Sequence, residues 1–388
     1  MITSRNRPWP QIDSAIRQKY NIVGEIDLLE VDRSPSMMYY QLKRLYREEY
    51  QPNDRILIYH YDTDFYLENI GFTLYNLLLC LDKLDIPLCF CLMLTSHYGI
   101  SAEIDKISKR FRQRDVADKM SVFESNYDLL SSIPVVGNND VDAGMIDSHF
   151  ICLQGKSRTH RLLFSCGLKA LDLLDKGIVS WHFNSDIFAG DSRDEVIHQP
   201  MDPKANYLDF LLTFPWPSRI NDSFSLNGKL NAWHNDHYHF FNHDFKDPRI
   251  DGDPNEKNFT AGFIKKAFLY ISSETVLHYP YPYLTEKTFK ALLYKRPFVI
   301  LGPKNSLNQL RTLGFKTFGD FWDESYDKIE DPATRLIKVM DIVADICSKD
   351  IDNLRTMCYS MQDILDYNLN HYIEHYSSAD LKEKLKTI

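Results

Sequence analysis

The chain has 388 residues, with 54 Asp+Glu against 45 Lys+Arg and a net charge of −9. At about 100–200 residues per domain, this length allows two or three domains, each with a sizeable core. Hydrophobic residues at 44% and charged residues at 26% are ordinary for a globular protein, and no apolar run approaches the roughly 20 residues of a membrane span.

In chain order, Met1 to Pro10 carries no apolar stretch of the kind a secretion signal needs, so a cytoplasmic location is expected. The leading segment, to about residue 50, shows no repeat. Asp54 to Tyr61 then reads as a buried strand ending in a polar loop, and Leu67 to Leu84 as a helix. Pro87 to Leu94, the richest apolar run, is expected to be a second strand, followed by a charged helix from Ser101 to Lys119. Strand–helix alternation of this kind signals a parallel sheet flanked by helices.

Val136 to Gly144 is polar and glycine-containing, which suggests a linker. The pattern then restarts with a strand at His149–Leu153, a turn at Gln154–Ser157, and a helix from Arg158 to Lys176 closed by Gly177. An irregular insertion rich in Asp, Asn, His and Pro runs from about Phe183 to Asn258. Two further strands are expected at Ala267–Ser272 and Pro297–Gly302, with a helix over Thr285–Tyr294 between them. From Pro332 onward the chain reads as amphipathic helices. The fold class is α/β, with two Rossmann-like domains at 1–145 and 146–340 and C-terminal helices at 341–388 packing back on the first domain. Seven cysteines, with no CxxC pair, sit mostly in apolar stretches and read as core thiols.

The segment richest in chemistry begins at Leu269 and ends at Pro303. Glu274 falls at the carboxyl end of a buried strand, where ligands collect in open α/β sheets. Thr285 is a plausible N-cap, placing Glu286 and Lys287 in the first helical turn. A carboxylate suits that end of the helix dipole and a lysine does not. Lysine there suggests an anionic ligand shared with the free backbone N–H groups. A capping threonine beside solvated charges explains the same residues without a ligand.

Glu274, Tyr283, Thr285, Glu286, Lys287, Pro297 and Gly302 also resemble, in order and approximate spacing, the donor signature of inverting fucosyltransferases that use GDP-fucose. The stretch is similar as well to uncharacterised glycosyltransferase-like proteins of tailed bacteriophages and marine bacteria. The likeness covers Ala267 to Tyr326, with weaker support at His149 to Gly177. It implies a GT-B arrangement and transfer of a sugar from a GDP- or UDP-sugar to an acceptor hydroxyl, with inversion and no required cofactor or metal. By resemblance, Glu286 binds the donor ribose, and Lys287 and Arg161, the latter with Arg158 and His160 beside it, neutralise the diphosphate. Glu274 touches the sugar or holds the site, and Tyr283 and Thr285 line it. Thr275 stands where the family has Asn, Leu284 where it has Ile or Val, and the 276–282 loop is longer and prolyl.

Transfer needs a general base facing the donor, and the first domain's strand ends offer His60, Asp62, Asp64 and His97. Asp62-Thr63-Asp64 also has the Asp-x-Asp form of a divalent-cation site, though it lies away from the donor signature. Histidines 234, 237, 239 and 243 could bind zinc, but their spacing fits no established motif, and an aromatic hydrogen-bonded loop is the expectation. The basic run of Lys106, Lys109, Arg110, Arg112, Arg114 and Lys119 reads as a solvated helix face, with nucleic acid or an acidic acceptor as the alternative. The acceptor is expected to be a glycan or a modified nucleobase, as in phage DNA, although the acidic balance weighs against a nucleic-acid partner. A non-catalytic binding protein on a degenerate transferase fold is the rival. The sequence contains no dinucleotide, P-loop or serine-elbow fingerprint.

Overall fold

The computed structural model describes residues 10–28, 35–45, 51–60, 70–95, 98–111, 119–124, 143–154, 159–181, 262–277, 279 and 281–376. They form an α/β protein with two parallel sheets of four strands each. The chain divides into two units, one of residues 1–133, 280–283 and 375–388, the other of 134–279 and 284–374.

The first sheet holds β1 (Asn21–Asp27), β2 (Asp54–His60), β3 (Cys91–Thr95) and β4 (Ser121–Glu124), parallel and in that spatial order. Residues Ile56 to His60 of β2 are all buried, because a parallel sheet is covered on both faces. The helices are α1 (Pro10–Lys19), α2 (Pro35–Leu45), α3 (Ile70–Lys83) and α4 (Ile100–Ser108). Ile16 of α1 packs with Leu57, Tyr59, Leu92 and Leu94 in one core cluster.

Two sequence expectations need correction in this unit. Leu88 to Phe90 forms a single tight turn, with Phe90 N–H donating to the Pro87 carbonyl, so the strand begins only at Cys91. Proline's fixed φ and missing N–H favour that turn over a ladder position. The α4 helix stops at Ser108 rather than Lys119, since its buried stripe of Ile100, Ile104 and Ile107 ends there. Glu124, at the end of β4, accepts from the Gly99 and Ser101 N–H groups and caps α4.

In the second unit β5 (Ser148–Gln154), β6 (Gly177–Trp181), β7 (Ala267–Ser273) and β8 (Phe298–Leu301) are parallel, in the order β6-β5-β7-β8. The helices are α5 (Thr159–Ala170), α6 (Glu286–Leu293), α7 (Ser306–Thr312), α8 (Pro332–Cys347), α9 (Ile351–Ser360) and α10 (Gln362–Tyr376). Through Glu374 the last three helices group with this unit, and residues 375–388 with the first. Phe289 of α6 packs on Phe315 and Tyr372.

The expected helix to Lys176 also needs correction. It ends at Ala170, where Asp172 adopts φ 55° and Leu173 N–H donates to the Leu168 carbonyl. That six-to-one bond is a Schellman closure with aspartate in the place usually held by glycine. Gly177 is extended, opens β6, and leaves room for the Phe150 ring, whose atoms lie 2.5 Å from where a Cβ would sit.

No helix among the described residues is long and apolar enough to cross a membrane. Cys80, Cys91, Cys152, Cys347 and Cys358 are buried core thiols, while Cys89 is exposed.

Candidate functional site

Strand order in the second sheet reverses at β5. The chain leaves β5 for β6 on one side, then crosses to β7 on the other. By the right-handed crossover rule, helices after two such strands lie on opposite faces, and the carboxyl ends of those strands are where open α/β sheets take ligands. The first sheet runs β1 to β4 without reversal among the described residues. The reversal in the second sheet therefore marks the candidate site.

Glu274 follows β7 directly at this point and is fully buried. Its Oε1 accepts from Thr285 N–H at 2.9 Å and from Thr288 Oγ1 at 2.6 Å. Its Oε2 accepts from Thr285 Oγ1 at 2.6 Å. Ser272, two residues back on the same strand face, pairs its hydroxyl with Thr288 at 2.8 Å. The Glu274 backbone carbonyl accepts from Arg161 Nη2 at 3.0 Å and pairs with His160 Nε2 at 3.0 Å. One residue thus pins α6 through its side chain and α5 through its backbone.

Thr285 is the N-cap of α6, as the sequence predicts, and accepts from Lys287 N–H. Lys287 Nζ lies 2.8 Å from Glu286 Oε1, 3.2 Å from Thr285 Oγ1 and 3.3 Å from Thr275 Oγ1. Both charges are partly exposed, at 34% for Glu286 and 19% for Lys287, so each can meet a ligand. Burial opposes the charge on Glu286, but Lys287, through its charge and hydrogen bond, and Lys290 outweigh it and hold that carboxyl below the ordinary glutamate range.

Arg161 is buried and also donates to the Ser273 carbonyl at 3.1 Å. Beside it, burial pushes the Cys152 thiol up to about 11, against a hydrogen bond from Gln154 and the Arg161 charge. Gly302 follows β8, and a Cβ there would lie 3.3 Å from Glu274 Cβ and Cγ. Arg335 of α8 donates to the carbonyls of Gly302 and Leu277, and burial lowers its pKa to about 10. These bonds brace the two chain segments leaving β7 and β8.

Of the sequence-predicted residues, the reversal gathers Arg161, His160, Glu274, Thr285, Glu286 and Lys287. Tyr283 is buried and falls in the 280–283 stretch grouped with the first unit. His60 is buried in β2, its Nδ1 2.9 Å from the Thr95 hydroxyl of the neighbouring strand. Its register opposite Thr95 places this strand-end candidate inside the sheet. Asp62, Asp64, His97, Arg158, Arg112, Arg114 and the histidines at 234–243 lie outside the described residues. Lys106 and Lys119 pair with Glu103 and Asp105 at 3.5 Å, as on a solvated face. Sequence reasoning missed Ser272 and Thr288. Their signal was their spacing, Ser272 two residues from Glu274 on a strand and Thr288 three from Thr285 on a helix.

Fold and site together define an α/β protein with two parallel sheets and a polar, cation-bearing side-chain cluster at a reversal of strand order. No family model, no curated protein and no solved structure matches the chain.

Proposed function

We propose that this protein is a glycosyltransferase that moves a sugar from a nucleoside-diphosphate sugar, GDP- or UDP-linked, to an acceptor hydroxyl with inversion. The observation that carries the reading is the Thr285-capped start of α6 at the β5/β7 reversal, where the partly exposed Lys287 ammonium and Glu286 carboxylate lie side by side. Helix N-termini at such reversals suit phosphate. In this reading Lys287 meets the diphosphate and Glu286 the ribose hydroxyls. Arg161 adds positive charge from below without direct contact, since its guanidinium is engaged by carbonyls.

The leaving diphosphate gains charge as the glycosidic bond breaks, and preorganised donors favour that state most. The base that takes the acceptor proton is assigned to Asp62 or Asp64, which follow β2 in the sequence, rather than to the buried His60. The two-Rossmann GT-B arrangement and a cytoplasmic setting belong to the same proposal.

The test is incubation with a panel of sugar nucleotides, reading which one is consumed, with and without EDTA. Lys287→Ala should weaken binding of the corresponding nucleoside diphosphate roughly 10- to 150-fold, the value of one charge-assisted hydrogen bond. Unchanged calorimetric affinity in Lys287→Ala, or no affinity of the native protein for any nucleoside diphosphate, overturns the reading. Loss of turnover in EDTA, restored by Mn²⁺, would make Asp62-Thr63-Asp64 a ligand set instead.

A further inference from the structure

We infer that Glu274 is a positioning residue that sets where the Lys287 ammonium lies, by dictating the direction of a buried hydrogen-bond chain, and that it does not itself contact the sugar. A carboxylate accepts and cannot donate. Every donor facing Glu274 therefore has its proton aimed inward: Thr285 N–H, Thr285 Oγ1 and Thr288 Oγ1. The Thr285 hydroxyl has one proton, and it is committed to Glu274 Oε2. Both lone pairs of that oxygen then face the other way, toward Lys287 N–H at 3.4 Å and Lys287 Nζ at 3.2 Å. The chain runs from the ammonium through the Thr285 hydroxyl to the carboxylate, with every proton pointing the same way. Full burial of Glu274, Thr285 and Thr288 keeps water from substituting for any link.

The same geometry fixes what Glu274→Gln does. Oε1 faces an obligate donor, Thr285 N–H, beside the Thr288 hydroxyl, so the amide oxygen must occupy that position. The amide nitrogen then faces Thr285 Oγ1 and donates to it. The threonine proton turns toward Lys287, and one of the two lone pairs that held the lysine is lost. The change is isosteric, so packing is kept while polarity along the chain reverses. That the displaced lysine weakens phosphate binding rests on the donor reading above. Its displacement does not.

The experiment measures amine-labelling rates of Lys287 and of Lys290, on the same helix, by peptide mass spectrometry in the full-length protein. Affinity for a nucleoside diphosphate and for the bare nucleoside is measured alongside by calorimetry. In Glu274→Gln, Lys287 labelling should rise several-fold while Lys290 stays constant. Diphosphate affinity should fall about tenfold and nucleoside affinity should hold. Unchanged Lys287 labelling overturns the positioning role, and so does a parallel rise at Lys290, which would mean only that α6 frays. Faster Lys287 labelling in a protein that binds no nucleoside diphosphate upholds the positioning role and sinks the donor reading alone. Thr285→Val removes the middle link while keeping its shape and the N–H bond to Glu274. It should release Lys287 in the same way should Glu274→Gln fail to fold.

Discussion

Thr288→Val probes the buried network at its most isolated member. Valine keeps the shape of threonine and removes only the hydroxyl. Thr288 is fully buried, and its hydroxyl donates to Glu274 Oε1 at 2.6 Å while meeting Ser272 Oγ at 2.8 Å. Loss of a hydrogen bond to a charged acceptor costs about 1.5–3 kcal/mol, and the Ser272 hydroxyl, equally buried, is stranded without its partner at about 1–3 kcal/mol more. Partial relaxation places the net loss at about 2–4 kcal/mol. With a urea dependence of about 1–3 kcal/mol per molar, the midpoint should fall by roughly 1 M or more at unchanged slope. Because the chain forms two units, hydrogen exchange at the α6 amides should be followed beside the global transition. Adding Ser272→Ala removes the stranded group, so the double variant should be less destabilised than the two single losses predict, by about 0.5–3 kcal/mol. A loss below about 0.5 kcal/mol in Thr288→Val, or strict additivity with Ser272→Ala, would refute this account of the network.

Gly177→Ala should destabilise the second unit by about 1–3 kcal/mol through overpacking, since the new Cβ meets the ring of buried Phe150 while the backbone there is already extended. Calorimetry showing an unchanged melting temperature would contradict that assignment. Glu286 titrates below the ordinary glutamate range in the folded state, so its contribution is complete above the unfolded value of about 4.3 and is lost as pH falls through the depressed folded value. The stability gap between native protein and Glu286→Gln should therefore close on going from about pH 6 to about pH 3. A pH-independent gap would show that Lys287 does not hold that carboxylate.

Much of the second unit was legible in the chain because its signals are local. Continuous apolar runs at Phe150–Cys152 and Phe268–Ile271 bury both faces of central parallel strands, and nothing else accommodates them. Thr285 announced its cap because the residue types that accept N–H bonds at a helix start are few. The edge strands β1 and β4 escaped notice, since Asn21, Glu25 and Ser121 tolerate solvent and blur the pattern. Helix ends were harder still. Asp85, Asp172 and Lys295 hold the left-handed position that closes a helix, a place where sequence reasoning looks for glycine, and of these closures only Gly314 obeys it.

Residue order alone yields the set of polar residues at strand and helix ends. Which of them meet follows from the assembled fold. Glu274 and Thr288 are 14 positions apart and Arg161 and Glu274 are 113, separations that carry no periodic signal. Their meeting depends on the β6-β5-β7-β8 order, which no single strand encodes. The order follows from packing whole helices against whole sheet faces. That free energy is summed over many side chains, so the position of the cluster is a property of the assembled unit rather than of the residues that form it.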